Sequence, residues 1–179
     1  MIIQQQQEQV VLDQPMNNYL LALDQSTSAT GWALFLNHNL IDYGVIKAEG
    51  YEDNKIEKMR NWLEHKIQEI SLFEDSELNI AIEDIQVQNG NVLTFKTLAR
   101  LQGVLINTII KYNIPYKIFL SSEWKKTCGI KGKNRPEQKR NAQLFIKNKF
   151  NIDVIQDTCD AICIGIHCLS KEKRKLNFK

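Results

Sequence analysis

A chain of 179 residues and 20.8 kDa has room for one well-cored domain and little room for a second. Its hydrophobic content of 43% and charged content of 25% exclude a wholly disordered or fibrous protein. The formal net charge is only +2, so the total charge indicates no particular partner and the function has to be sought in local sites.

The N-terminal segment contains a run of four glutamines and shows no sustained hydrophobic period. We expect a disordered tail over 1–17, a folded domain over 18–170 and a basic tail over 171–179. The domain opens with three closely spaced runs of bulky side chains, a pattern typical of an antiparallel meander. The predicted strands are Tyr19–Leu23, Gly31–Leu36 and Leu40–Lys47, with a turn at Asn37, His38 and Asn39.

Apolar residues then recur at intervals of three and four from about Lys55, which predicts a helix with one buried face. The apolar run Leu78–Ile82 predicts a fourth, buried strand, and a loop rich in Gln, Asn and Gly follows it. The residues of the helical stripe are Ile56, Met59, Leu63, Ile67 and Ile70.

A long helix is predicted from about Val92 to Tyr112, and its apolar surface is wider than a single stripe. One side would meet the sheet, whereas the other would meet either a second subunit or the rest of its own monomer, two alternatives of equal weight. The expected inner face is Val92, Phe95, Leu98, Ala99, Gln102, Ile106, Ile109 and Ile110, widened by Leu101, Val104 and Leu105.

Four further elements complete the order βββαβαβααα. This order predicts an α/β fold with a mixed five-stranded sheet, three antiparallel strands and then parallel strands, covered by helices on both faces. The remaining elements are a strand Ile114–Leu120, a short helix capped by Ser121 or Ser122, a helix with Pro136 in its first turn that ends near Phe150, and a helix from Asp157 through Leu169.

Four acidic residues occupy positions that this fold can bring together. Asp24 and Glu83 each follow an apolar strand, and Asp157 and Asp160 lie three residues apart on one face of the last helix. For any one of them alone, a helix cap or a solvated loop acid is the better interpretation. Crowded together, carboxylates repel one another and gain affinity for a hard divalent cation such as Mg²⁺ or Mn²⁺.

Three motifs around these acids resemble the RuvC-type Holliday junction resolvases of the RNase H-like superfamily. The string LLALDQSTSATGWALF is similar to their first strand and hairpin, with Asp24 as the catalytic acid and the Thr30–Trp32 step after it. NIAIEDIQVQNGN resembles the strand that carries their catalytic Glu, here Glu83, and ARLQGVL resembles the helix that follows it. DTCDAICIGIHC is similar to their final helix with its two acids, Asp157 and Asp160.

The resemblance implies a metal-dependent endonuclease of RNase H-like fold that cuts Holliday junctions and related branched DNA by two-metal hydrolysis. Asp24, Glu83, Asp157 and Asp160 would be both the catalytic residues and the ligands of Mg²⁺, with Mn²⁺ as a substitute. The setting would be DNA recombination, repair or phage DNA processing. Paired incisions across a junction further imply a homodimer, assembled through the helix from about Val92 to Tyr112.

The sequence departs from the family pattern at two places. We therefore expect a phage-encoded member with a relaxed junction preference. Gln86 stands where many bacterial members carry a Phe that wedges into the DNA branch point. Phe95 could substitute, although we favour a core role for it. The turn after Asp24 is Gln-Ser-Thr rather than Pro-Gly-Ser, which leaves its backbone geometry open.

The segment from Lys111 to Lys149 is strongly basic, because eleven Lys and Arg residues outnumber two Glu residues and leave a net charge of +9. On charge alone, a solvated lysine-rich face and a DNA-binding surface are equally good interpretations. WKKTCGIKGKNRPEQKR also resembles the family's basic segment near the scissile phosphate, with Lys125 and Lys139 as the best candidates there. The predicted DNA-binding residues are Lys125, Lys126, Lys131, Lys133, Arg135, Lys139 and Arg140.

Other functions compete with nuclease activity. A non-catalytic DNA-binding module of the same fold would be favoured if one of the four acids pointed away from the others. LALDQST also resembles the phosphate-binding turn of actin-like and sugar-kinase ATP-binding domains, but those need a repeated domain and a glycine-rich adenosine site, whereas this chain has only eight Gly. Cys159, Cys163 and His167 are spaced like zinc ligands, although small core residues are the better interpretation.

The expected location is the cytoplasm of a bacterial cell, phage-infected or not. No apolar run approaches the roughly 20 residues that span a bilayer, and 1–15 lacks the basic start and apolar centre of a signal peptide. We therefore expect no membrane partner. The cysteines are expected to be reduced thiols without disulfides; they are Cys128, Cys159, Cys163 and Cys168.

Overall fold

The computed structural model describes residues 16–87 and 91–176. The predicted tail over 1–17 therefore lies almost wholly outside the described residues, and so do the last three positions of the predicted basic tail. The order βββαβαβααα is confirmed. The strands are β1 (Asn17–Asp24), β2 (Ala29–Leu36), β3 (Asn39–Lys47), β4 (Ser76–Glu83) and β5 (Tyr116–Phe119); the helices are α1 (Glu52–Ser71), α2 (Val92–Lys111), α3 (Ser121–Thr127), α4 (Arg135–Phe150) and α5 (Gln156–Leu176).

The five strands form one mixed sheet in the order β3-β2-β1-β4-β5. β1, β2 and β3 are antiparallel, whereas β4 pairs in parallel with both β1 and β5, as the sequence predicts. The β2–β3 hairpin closes at Asn37 and His38, whose φ angles of 47° and 74° are both positive. Two successive left-handed residues match the twist of the strands they join.

Helices cover both faces of the sheet, because side chains along each central strand alternate between two apolar cores. Leu21, Leu23 and Ile80 belong to the core that includes residues of α1 and α2. Ala22 and Ala81 belong to the opposite core, which includes residues of α3, α4 and α5. Small side chains on that second face let α5 lie close to the middle of the sheet.

The orientation of α2 differs from the prediction. Leu101 and Leu105 are 0% and 2% exposed and belong to the monomer core, where α2 packs against α1. Val92 and Ile110, which the sequence pattern assigns to the inner face, are 51% and 58% exposed. The helix carries two apolar stripes, and spacing alone does not tell which one meets the sheet.

The last helix is longer than predicted, since α5 continues to Leu176 rather than ending near Leu169. Part of the predicted basic tail is therefore helical, and Lys117 of β5 lies 3.1 Å from Glu172 within this extension. The four cysteines are buried, unpaired thiols. Within the described ranges, none of the helices is both long and apolar enough to cross a membrane.

Candidate active site

Two carboxylates lie side by side where β1 and β4 end. Leu23 pairs with Ile82 in the parallel register, so the next residues, Asp24 and Glu83, are neighbours. Asp24 lies two residues after Ala22, and Glu83 two residues after Ala81, so each acid shares a sheet face with its alanine, the face that α5 covers. The strand ends therefore direct two acidic side chains toward the start of α5.

The first turns of α5 bring the other two acids to the same place. Asp24 pairs with Gly31 across the β1–β2 ladder, and a Cβ built on Gly31 would lie 1.9 Å from the carbonyl oxygen of Asp157. Only a residue without a side chain permits this approach. The Thr158 hydroxyl also donates to the carbonyl of Gly44 at 3.0 Å, which ties the start of the helix to β3.

A cleft of about 990 Å³ opens at this point. All four predicted acids line it, and so do four of the seven predicted DNA-binding residues, namely Lys125, Lys133, Arg135 and Lys139. The remaining three are exposed but are not among the described residues that line the cleft; they are Lys126, Lys131 and Arg140.

Burial and mutual repulsion disfavour the charged forms of three of these acids, namely Asp24, Glu83 and Asp160. The pKa of Asp24 is raised well above its usual value, first by burial and then by the charges of Glu83, Asp160 and Asp157. Burial raises the pKa of Glu83 to about 7, although a hydrogen bond from Trp124 acts in the opposite direction.

The pKa of Asp160 is also raised by burial. A hydrogen bond from Gln156 and the positive charges of Lys125 and Lys139 oppose this effect. The basic residues of the cleft therefore act on the acids electrostatically. Such crowding of perturbed acids is typical of functional sites.

Hydrogen bonds occupy two of the carboxylates. The Trp124 indole donates to Oε2 of Glu83 at 2.9 Å, and the Gln156 amide donates to Oδ1 of Asp160 at 2.7 Å. Within residues 16–87 and 91–176, no group of three or more His, Cys, Asp or Glu side chains is arranged to hold a metal ion. The chemistry of the donor set nevertheless fits a hard divalent cation, because crowded carboxylates lose their repulsion when a cation enters.

The zinc interpretation gains no support from the surroundings of its three residues. Cys159 and Cys163 are fully buried in the α5 core. His167 packs edge-on against Phe119, and its Nδ1 lies 2.6 Å from the hydroxyl of Thr127. These contacts are those of packed core residues.

The structure shows the surroundings of both departures from the family pattern. The Thr30 hydroxyl accepts from the Ser26 amide at 3.1 Å and donates to the Ser26 carbonyl at 2.6 Å, which holds the turn after Asp24. Phe95 lines the cleft as a half-buried residue together with Gln86, rather than packing in the core. The core role that we favoured for Phe95 is wrong, because Phe95 belongs to neither apolar core and its side chain faces the cleft.

Sequence reasoning missed the polar residues that hold Glu83. Trp124 is 2% exposed, and Gln25 and Gln102 are 7% and 9% exposed. Both glutamine amides donate to the backbone carbonyl of Glu83. The only sequence signal was the presence of polar residues within apolar patterns, and we assigned Gln102 to an inner helical face without a partner.

Comparison with known proteins agrees with this fold. Thermus thermophilus RuvC in complex with a Holliday junction substrate superposes with a TM-score of 0.66 at 10% identity, over 83% of this chain and 90% of that one. A second Thermus thermophilus RuvC structure gives 0.66 at 12% identity, over 88% and 96%. The yeast mitochondrial Holliday junction resolvase Ydc2 gives 0.54 at 13% identity, over 93% and 85%.

The fold is thus the RNase H-like fold of the RuvC resolvases, as the sequence motifs predict. No functionally curated protein matches the chain significantly in sequence. A family model matches residues 16–170, which is most of the chain. The protein therefore belongs to the DUF3882 family, described as Lactococcus phage M3 protein.

Proposed function

We propose that this protein is a metal-dependent, structure-selective endodeoxyribonuclease that cuts branched DNA, including Holliday junctions, in recombination, repair or phage DNA processing. The observation that carries the proposal is the convergence of Asp24, Glu83, Asp157 and Asp160 in one cleft beside basic side chains. Solved proteins of the same fold include Holliday junction resolvases. We expect it to act in the cytoplasm of a bacterial or phage-infected cell.

The four acids would hold Mg²⁺, or Mn²⁺ in its place. Bound there, the ions would supply Lewis acidity that activates water and stabilises the departing oxygen of a phosphodiester. Because burial raises the pKa values of Asp24, Glu83 and Asp160, the acids retain protons more strongly than exposed carboxylates do. Metal binding should therefore release protons and become tighter as the pH rises.

The basic residues of the cleft suit the phosphate backbone. Lys125 and Lys139 lie near enough to Asp160 for their charges to oppose the rise in its pKa, and Lys133 and Arg135 line the same cleft. Phosphate contacts of this kind position DNA without selecting a sequence. The other predicted contacts, Lys126, Lys131 and Arg140, would serve an outer part of the DNA path.

This arrangement favours a nuclease over a non-catalytic module. The module would be the better hypothesis if one acid faced elsewhere, but all four line one cleft. Crowding four carboxylates in one cleft costs free energy unless a cation or protons offset their repulsion. A metal-binding role would account for their convergence in the cleft.

We also propose a homodimer, because paired cuts across a junction need two symmetry-related active sites. The predicted interface is the helix from about Val92 to Tyr112, but Leu101 and Leu105, which widen its apolar surface, are buried within the monomer and cannot contact a second subunit. The exposed apolar side chains of α2 are available instead, namely Val92 and Leu93 at its start and Ile110 at its end, which are 51%, 78% and 58% exposed.

A cleavage assay on four-way, three-way, flap and linear DNA, with Mg²⁺ or with EDTA, tests the proposal. The wild-type protein should cut branched DNA only with the metal. Asp24→Asn and Glu83→Gln should abolish cleavage while junction binding stays equal or becomes tighter, because phosphate repulsion falls. Asp153→Asn is the matched control, since this exposed acid pairs with Lys147 outside the cleft. Full activity in either cleft variant, or cutting in EDTA, would overturn the assignment.

A further inference from the structure

Two glutamine side chains from distant parts of the chain converge on one backbone atom in the active-site cleft. Nε2 of Gln25 donates to the carbonyl oxygen of Glu83 at 3.1 Å, and Nε2 of Gln102 donates to the same oxygen at 3.2 Å. Gln25 directly follows β1, whereas Gln102 lies in the middle of α2. The carbonyl at the end of β4 is thus held from two directions.

This arrangement carries a stability cost. Both glutamines are at least nine-tenths buried. Among the described residues, Oε1 of Gln25 is a buried acceptor without a hydrogen-bond donor. An unsatisfied buried polar atom destabilises a fold, so its presence calls for a compensating role.

The compensating role follows from the residue to which this carbonyl belongs, because Glu83 is one of the four acids that line the cleft. Trp124 donates to the Glu83 carboxylate at 2.9 Å, while the glutamines hold the backbone of the same residue. Glu83 is therefore restrained at both ends. Fixing the backbone limits the positions that its carboxylate can reach within the cleft.

Gln102 also connects Glu83 to the wall of the cleft. Phe95 and Leu98, on the same helix, line the cleft on the N-terminal side of Gln102. A shift of α2 would move Gln102 and, with it, its hydrogen bond to Glu83. The position of the acid thus depends on how α2 is seated.

We propose that Gln25 and Gln102 are positioning residues that hold Glu83 where its carboxylate can bind a divalent cation. The inference rests on the proposed nuclease function. It extends that function from the four acids to the side chains that orient one of them. Groups that orient metal ligands typically change metal affinity about 10- to 100-fold when they are removed.

The test measures Mn²⁺ affinity without DNA, by electron paramagnetic resonance titration of the full chain. Gln25→Met and Gln102→Met keep the side-chain length but remove the amide. Each should weaken Mn²⁺ binding by about 10-fold or more. Because the Glu83 carbonyl keeps its second donor, each should lower the unfolding midpoint by no more than about 4 °C.

The matched control is Gln143→Met. Gln143 also donates to a backbone carbonyl, that of Val154 at 3.2 Å, but it lies outside the cleft. Its loss should leave Mn²⁺ affinity unchanged. The double variant of Gln25 and Gln102 should weaken Mn²⁺ binding by more than the product of the two single effects, because both amides hold one atom.

The outcomes separate the inference from the function on which it rests. Wild-type protein that binds no Mn²⁺ and cuts no branched DNA would overturn both. Wild-type protein that binds and cuts, with both glutamine variants equal to the Gln143 control, would overturn the positioning role alone. If a methionine variant does not fold, the asparagine variant replaces it under the same criteria, since its amide is one methylene too short to reach the carbonyl.

Discussion

Replacing Gly31 with alanine should separate the four acids of the cleft while leaving the fold in place. The added Cβ would lie 1.9 Å from the Asp157 carbonyl oxygen and 2.3 Å from its carbon. Ordinary contact begins near 3.4 Å, so the two backbones must move apart by about 1.5 Å along this contact. Neither atom belongs to a flexible side chain, and α5 has to shift at its first turn.

The expected losses follow from that displacement. A misplacement of about 1 Å at a catalytic centre can lower the rate about 100-fold, so Gly31→Ala should lose at least that much cleavage of branched DNA. Overpacking should cost about 1–3 kcal/mol of unfolding free energy. Single-turnover cleavage in Mg²⁺ and urea unfolding measure the two quantities separately.

Gly165→Ala is the matched control at the same interface. Its Cβ would lie 2.2 Å from the ring of Phe35, so it overpacks α5 against β2, but against a side chain that does not line the cleft rather than against the Asp157 backbone. It should lose comparable stability and retain cleavage within a few-fold. The reasoning is refuted if folded Gly31→Ala cuts at the wild-type rate, or if Gly165→Ala loses as much activity as Gly31→Ala does.

Three further predictions concern charge and assembly. The pKa of Glu83 is about 7 in the folded protein against an ordinary 4.5. Without metal, the stabilising contribution of protonated Glu83 to the unfolding free energy is therefore complete below pH 4.5 and should be lost as the pH rises through about 7. In urea unfolding with EDTA, the loss of unfolding free energy between pH 4.5 and pH 7 should be smaller in Glu83→Gln than in the wild type by up to roughly 3 kcal/mol. An equal pH dependence in the two proteins would contradict this. Lys133→Gln should weaken binding to all DNA forms and reduce the slope of log binding constant against log salt concentration by about 0.9. The control Lys149→Gln, outside the cleft, should change neither quantity. An unchanged salt dependence in Lys133→Gln would show that Lys133 does not contact DNA. Leu93→Asp should dissociate the dimer, as measured by light scattering, and turn paired cuts into single nicks. The control Leu144→Asp, also at an exposed leucine, should do neither. A wild-type protein that is monomeric and still makes paired cuts would rule out the dimer.

The sequence alone determined the order of the elements and the positions of the four acids. Strand and helix periods depend on residues a few positions apart, so Tyr19–Leu23 and Leu78–Ile82 could be recognised from their own composition. Asp24 and Glu83 directly follow such strands, and parallel neighbours end at one edge of a sheet. The sequence therefore placed these two acids at strand ends, whereas the pairing of β1 with β4 that makes them neighbours was seen only in the structure.

Only the tertiary structure decided which faces and side chains meet. Leu101 and Leu105 turned inward and Leu93 outward because the rotation of α2 is set by packing against α1 and the sheet, which a local period does not specify. The pairing of Gln25 and Gln102 on one carbonyl has the same origin. It joins residues 58 and 19 positions from Glu83, and such contacts exist only once the strand register and helix rotation are established.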